Sequence, residues 1–293
     1  MLTLGVLCSG ALGFDTLTKL AKDYNVAFVL TDRNSTTIIQ FTKKHNIPCF
    51  VGNPRGGKGY DFIKNIRVDV ITSINYLFLI EEDIIEHPNQ IAFNIHGSLL
   101  PKYRGRTPHV WAIINGEVST GITAHKIEAG CDTGAIIHQI EIPIEDNDTG
   151  NDMLLKYKEQ YFPIIDYVLR TIVDKKLTLI KQDESEATYF GKRTPLDGEI
   201  KWNWDSERIR NWVRAQAFPY PGAFTFYNGE KIIVDKVSVI DIKNTHQYSF
   251  GTIIQDTPKV VVKTRNGAVK LEQIRTENCT FTQGTKFENE NRK

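Results

Sequence analysis

Asn94 and His96 stand one residue apart at the end of the apolar run Phe93 to His96, and Gly97-Ser98 stops that run. Side chains alternate along a strand, so the amide and the imidazole share one face while Phe93 and Ile95 take the other. An imidazole titrates near neutrality and can take a proton from an attacking nucleophile. An amide N–H can donate to an oxygen that is gaining negative charge. A third group, Asp132, lies in Glu128-Ala129-Gly130-Cys131-Asp132-Thr133-Gly134, where Gly130 and Gly134 permit positive φ on either side and let the carboxylate be aimed. If the three meet, the carboxylate orients the imidazole and the set suits acyl transfer. A Ser98, His96, Asp132 hydrolase triad is disfavoured: a serine two residues after the histidine on a turning chain does not reach the imidazole nitrogen, and no G-x-S-x-G elbow is present. No thiol sits beside a base either, so the nucleophile is expected to arrive with the substrate. His125 and His138, on the arms flanking Asp132, read as surface or packing histidines.

The elements that must position these groups follow a βαβ rhythm. Leu2 to Cys8, Val26 to Leu30, Ile47 to Val51 and Val68 to Ile74 read as strands, with amphipathic helices after Phe14 and over Thr36 to His45. An α/β fold with a parallel-rich sheet and helices on both faces follows. The loop Asn75-Tyr76-Leu77-Phe78-Leu79-Ile80 is oily and lies after the fourth strand, where open α/β sheets bind ligands, and it suits a flat aromatic ring. The competing reading tucks Leu77, Phe78 and Ile80 under a helix. Val110 to Asn115 reads as a helix, GITAHKIEAGCDTGAIIHQIEIPI as a hairpin with an irregular tip, and Asn151 to Ile172 as a closing helix. Beyond a connector rich in aromatics and cations comes a helix, Ser206 to Phe218, and short strands near 223, 231, 236, 251, 260 and 269. These predict a smaller, barrel-like β-rich domain. The expected division is 1–185 for the catalytic domain, 186–282 for the connector and β-rich domain, and 283–293 for a flexible polar tail.

Composition narrows the classes. With 36 basic and 35 acidic side chains the net charge is +1, and nothing global pulls the chain toward nucleic acid or an anionic membrane. No run approaches the roughly 18 apolar residues of a membrane span. Cysteines 8, 49, 131 and 279 make no metal-ligand spacing, so no metal is expected. Their scarcity and the lack of a basic n-region point to the cytoplasm. Gly10-x-x-Gly13 is an incomplete dinucleotide fingerprint, and Arg55 to Gly59 lacks the Gly-Lys-Ser/Thr of a P-loop.

Three separated motifs, HGSLLPKYRGRTP, NGE-x-x-TGIT-x-H and G-x-DTG-x-II, resemble the folate-dependent formyltransferase family in their order. The resemblance covers Leu2 to about Thr171 and, more loosely, the remainder. It implies a Rossmann-like formyltransferase domain followed by an OB-like domain, with 10-formyltetrahydrofolate as the donor co-substrate. It places the catalytic Asn, His and Asp on Asn94, His96 and Asp132. It also puts the pterin against Tyr76, Leu77, Phe78, Leu79 and Ile80 and near Ala129 to Asp132, partly through main-chain groups. The implied reaction is attack by a primary amine on the formyl carbon, with His96 or Asp132 taking the proton.

Family acceptors are methionyl-tRNA, glycinamide ribonucleotide and nucleotide-linked amino sugars. The tRNA enzymes carry a basic insert after the second strand, whereas here Asp32 runs almost directly into the Thr36 helix. The nucleotide enzyme has His-Pro-Ser in place of His96-Gly97-Ser98 and lacks the β-rich domain. ATYFGKRTP, DGEIKW and PYPGAF resemble the sugar N-formyltransferases of lipopolysaccharide and O-antigen synthesis. On that reading Arg104, Arg106, Lys192 and Arg193 neutralise a diphosphate, and Tyr189, Tyr220 or Trp202 stacks on a pyrimidine. The first acceptor expected is dTDP-4-amino-4,6-dideoxyglucose, with methionyl-tRNA and UDP-4-amino-4-deoxy-arabinose as alternatives and a folate- or nucleotide-sensing module as the non-enzymatic one. No nucleic-acid or membrane partner is expected, and a homodimer is left open.

Overall fold

The structure, a computed structural model, describes residues 2–242, 246–276 and 279–288. Its first half alternates β1 (Thr3–Cys8), α1 (Gly10–Asp23), β2 (Asn25–Thr31), α2 (Thr36–Lys44), β3 (Cys49–Val51), α3 (Lys58–Ile63), β4 (Val70–Ile74), α4 (Glu82–Ile85) and β5 (Ile91–His96). The strands lie in the order β3-β2-β1-β4-β5, all parallel. Leu7, Phe28, Leu30, Ile71 and Ala92 pack on one face against Ile63 of α3 and Ile84 of α4. Val6, Val29 and Val70, which alternation sends to the opposite face, are also fully buried. Burial of both faces is what a parallel sheet requires, and the near-continuous apolar strands follow from it.

The chain continues through β6 (Arg104–Gly105), α5 (Pro108–Ile114), β7 (Ser119–Lys126), β8 (Ile136–Pro143), α6 (Gly150–Val173) and β9 (Tyr189–Phe190). The expected hairpin is β7 and β8. β7 joins β5 antiparallel, and β8 completes the seven-stranded sheet outside it. β6 and β9 form a separate two-residue parallel pair that sequence periodicity does not show.

The last part holds α7 (Ser206–Ala215), β10 (Ala223–Tyr227), β11 (Glu230–Ile240), β12 (Ile253–Gln255), β13 (Val261–Lys263) and β14 (Ala268–Arg275). Five antiparallel strands take the order β10-β11-β14-β13-β12, the β-rich domain expected. The runs near 231 and 236 are one strand, because register shifts let β11 follow β14 without a turn. α7 stops at Ala215 rather than Phe218, the residue before Pro219, where helical backbone is disfavoured.

Two of the expected boundaries need correction. A single division after 185 fails, because the chain separates into one unit of Met1–Gly105, Thr120–Ile142 and Leu155–Phe190, and a second of Arg106–Ser119, Pro143–Leu154 and Gly191–Lys293. α5 belongs to the second unit because its partner there is α7, about a hundred residues downstream. The tail expected at 283–293 is in fact structure as far as residue 288. Glu288 bridges Phe226 of β10 and Lys286 bridges Thr252 beside β12, so this segment closes the two open edges of the five-stranded sheet. Phe287 between them is buried and stacks on Trp202 at 5.4 Å. Residues 289–293 lie outside the described residues.

Phe287→Ala should therefore destabilise the β-rich unit by about 3–5 kcal/mol. A urea titration of tryptophan fluorescence checks this, and an unchanged midpoint would return the segment to a loose tail.

Candidate active site

On β5, Phe93 and Ile95 are buried in the sheet, and Asn94 and His96 share the other face. His96 Nε2 lies 2.8 Å from the carbonyl oxygen of Tyr103. A carbonyl only accepts, so Nε2 carries the hydrogen and Nδ1 keeps the lone pair. That lone pair faces Asp132 Oδ2 at 3.5 Å. In the neutral state the two meet lone pair to lone pair, and a proton arriving on Nδ1 turns the contact into attraction. Burial holds His96 below the ordinary imidazole value of 6.5, with the Asp132 charge pulling the other way. Nδ1 is thus an unprotonated base at neutral pH, poised beside the group that stabilises its cation.

Asp132 itself takes the left-handed conformation at φ 56°. Gly130 and Gly134, which permit positive φ, do not adopt it. Gly134 is needed for close approach instead, since a Cβ there would stand 1.9 Å from the Lys126 carbonyl oxygen. The carboxylate accepts the Gly105 N–H at 2.9 Å through Oδ2. Burial alone would raise its pKa, but attraction to the protonated forms of His125 and His96, together with the Gly105 N–H, outweighs it and keeps the group well below the usual carboxylate range. It stays ionised.

His125, read from sequence as a packing histidine, is part of this cluster. Antiparallel register sets it opposite Asn94. Its Nδ1 donates to the Lys126 carbonyl at 2.9 Å, which leaves Nε2 to accept the Asn94 amide N–H at 3.1 Å. The Asn94 amide is thereby oriented, with its nitrogen on the histidine side. The signal was present in Thr123-Ala124-His125, where alternation puts the threonine and histidine on one face, but only the pairing of β7 with β5 says which face. The Gly105 N–H was also missed, since no side chain announces it.

Among the proposed donor contacts, Tyr76 and Ile80 pack against the core, while Leu77 is 47 % and Leu79 67 % exposed. Phe78 meets the Tyr76 ring edge-on at 5.5 Å. Alternate side chains of the loop tuck inward and alternate ones face out, so Ile80 packs inward as the tucked reading expects whereas Leu77 does not. The loop leaves β4 beside the end of β1, where the strand order reverses, and the buried Tyr76 hydroxyl has no partner among the described residues. An apolar lip with an unmet buried hydroxyl fits a flat heteroaromatic ligand. Ala129 is exposed on the hairpin tip.

Arg104 requires correction. It was expected to neutralise a diphosphate, yet its side chain is 0 % exposed and its guanidinium is committed to Gln182, Glu184 and the Tyr189 hydroxyl. Tyr189 keeps an exposed ring, but its hydroxyl belongs to Arg104. In the second unit Arg106 and Lys192 are exposed. The Arg193 guanidinium lies between the Trp111 and Trp212 rings, 5.0 and 4.3 Å from their centres, and Nη2 donates to Asp197 O and Gln216 Oε1. A cavity of about 250 Å³ is lined there by Trp111, Lys192, Arg193, Asp197 and Trp212. Tyr220 shares a 3.0 Å hydrogen bond with His109, and burial pushes its phenol up to about 12. Trp202 cannot stack on a ligand base, since it is buried against Phe287 with Nε1 on Thr225. Among the described residues no group of His, Cys, Asp and Glu could hold a metal ion, and no helix is long and apolar enough to cross a membrane.

Comparison with known proteins adds three findings. Residues 10–165 match the family model described as formyl transferase, and residues 192–292 match its C-terminal domain. The chain is 33 % identical over 291 residues to the bifunctional polymyxin resistance protein ArnA of Wigglesworthia glossinidia brevipalpis, across 96 % of this chain and 43 % of that protein, so it spans less than half of that relative. Two crystal structures share the fold at a TM-score of 0.73. WlaRD, a sugar 3N-formyl transferase with dTDP and 5-N-formyl-THF, is 23 % identical over 93 % of this chain and 99 % of its own. The N-formyltransferase of Helicobacter canadensis, with folinic acid and dTDP-3-aminofucose, is 20 % identical over 94 % and 100 %.

Because burial lowers the His96 pKa and Asp132 raises it, His96 should titrate below 6.5, and Asp132→Asn should move the midpoint lower still. Imidazole NMR titration of both proteins checks the sign; an upward shift in the variant would remove Asp132 from the electrostatics of His96.

Proposed function

The chain belongs to the formyl transferase family, and on that premise we propose that it moves a formyl group from 10-formyltetrahydrofolate to the amino group of a nucleotide-linked amino sugar. The observation that carries the reading is the tautomer of His96. With Nε2–H held by Tyr103, the basic Nδ1 is free of any other hydrogen and faces an ionised carboxylate. That arrangement suits removal of a proton from an amine as its nitrogen bonds to the formyl carbon. Asp132 stabilises the imidazolium so formed. The Asn94 amide, oriented by His125, supplies an N–H for the formyl oxygen as it gains charge. When the carbonyl re-forms and the bond to the donor nitrogen breaks, the proton held by His96 is the one that nitrogen needs. Tyr76 to Ile80 and the Ala129 tip are the donor-binding groups in this proposal. Arg106, Lys192, Arg193 and Tyr220 bind the acceptor, and Tyr189 offers it a ring face.

Several features favour a sugar acceptor over tRNA. Asp32 to Ser35 is closed by the Asp32 carboxylate, which accepts from Asn34 N–H at 2.8 Å and from the Ser35 hydroxyl, so the turn after β2 is short and carries one cation, Arg33. The Trp111, Arg193, Trp212 stack gives a cation with a defined planar face beside Lys192, a recognisable anion site. Of the two structural relatives, one is a sugar 3N-formyl transferase and the other is in complex with dTDP-3-aminofucose. Among acceptors dTDP-4-amino-4,6-dideoxyglucose comes first. UDP-4-amino-4-deoxy-arabinose is the second, kept because the 33 % identical relative is a polymyxin resistance protein.

Incubation with 10-formyltetrahydrofolate and each sugar nucleotide, with charged initiator tRNA in parallel, should yield a formylated sugar by mass spectrometry and no formylated tRNA. His96→Ala should lower kcat by about 10²–10⁴-fold. Arg193→Ala should raise KM for the acceptor with kcat largely kept. A sensing module would instead bind ligands with no turnover in any protein.

A further inference from the structure

Gln182 lies on the segment that follows α6 and is 4 % exposed. Its Oε1 accepts from Arg104 Nε at 3.1 Å and from Nη2 at 2.7 Å. Its Nε2 donates to the carbonyls of Asp132 at 2.8 Å and Gly134 at 2.7 Å. Arginine only donates and a carbonyl only accepts, so the amide has one possible orientation and all its groups are used. The residues on either side of Arg104 are those the site depends on: Tyr103 O accepts the His96 N–H, and the Gly105 N–H donates to Asp132. The same stretch of chain is fastened again by Thr188, whose hydroxyl accepts the Tyr103 N–H at 2.8 Å and whose carbonyl accepts the Arg104 N–H at 2.8 Å.

Glu184 already supplies the charge Arg104 needs, through two bonds of 2.8 and 2.7 Å. What Gln182 adds is a side-chain bridge from Arg104 to the hairpin tip. We propose that Gln182 is a positioning residue for the formyl transfer inferred above: by tying the backbone of Asp132 and Gly134 to the buried Arg104, it holds the Asp132 carboxylate in register with His96 Nδ1. It touches no reacting atom and acts through Asp132 and His96. A glutamate at this position would keep an acceptor for Arg104 but set its other carboxylate oxygen against the two carbonyls. A methionine would keep the length and the net charge while losing every hydrogen bond.

The test compares Gln182→Glu and Gln182→Met with the wild type. Both should lower kcat by roughly 10²-fold, the cost of a displaced catalytic group, with KM for both substrates little changed. His96 is faced by Asp132 from the tip, His125 from β7 and Arg104 from β6, and of these only Asp132 raises its pKa. The charge-neutral Gln182→Met should therefore shift the His96 NMR titration to lower pH. Wild-type kcat in Gln182→Glu would show that Gln182 serves Arg104 alone, and an unmoved His96 titration in Gln182→Met would likewise overturn the proposal. If neither variant folds, the wild type decides: the Gln182 side-chain amide should give two resolved, slowly exchanging proton signals, and averaged, fast-exchanging ones overturn it. Should the wild type formylate no acceptor, the transfer reading fails while the titration and exchange measurements still judge Gln182.

Discussion

A guanidinium that is always charged and has no exposed surface constrains everything near it. Burying an ion costs several kcal/mol even after relaxation, so Arg104 is tolerable only if each side of its fork finds an acceptor. Gln182, Glu184 and Tyr189 provide them, and all three come from one stretch far along the chain, with Gln182 78 residues away. Meeting that one charge brings residues 182–190 alongside residues 103–105, and the two-residue pair β6 and β9 is the backbone record of it. Gly105 makes the approach possible, with φ 101° and a position where any Cβ would stand 2.3 Å from the Phe190 carbonyl oxygen.

From that constraint the electrostatics of the cluster follow. Tyr103 and Gly105 flank the arginine, and through their main-chain groups they set the His96 tautomer and one oxygen of Asp132. A neutral imidazole facing a carboxylate with its lone pair is a poor contact, which the protein sustains because neighbouring groups over-determine it. The same contact becomes an ion pair once a proton arrives. In the proposed reaction, preorganisation means that the favourable state is the one reached as the proton is taken up, with no group needing to move. Asn94 is treated alike: His125 takes one of its amide hydrogens, and in the proposed reaction the other meets the formyl oxygen.

The second unit is held by different means. Its five-stranded sheet would present two open edges, a liability for any antiparallel sheet, and the 284–288 segment covers both. Burial of Phe287 against Trp202 anchors that segment and removes Trp202 from any ligand-stacking role. Arg193 shows the opposite solution to Arg104. It is flanked by two indoles rather than enclosed by hydrogen-bond acceptors, so it keeps a partly open cation beside a cavity.

Local patterns carried much of this structure in the sequence alone. Alternation at Phe93 to His96 set Asn94 and His96 on one face, the βαβ rhythm led to the parallel sheet, and three ordered motifs led to the formyl transferase family. Each of these depends on residues within a few positions of one another, where strand and helix periods govern. The role of Arg104, the partnership of His125 with Asn94, the bridging by Gln182 and the fate of residues 284–288 were settled only by tertiary structure. An arginine in a basic, Gly- and Pro-punctuated loop looks identical whether it faces solvent or is buried. What decides is whether acceptors from another part of the chain reach it, and hydrogen bonds across 31 to 80 residues leave no period along the sequence.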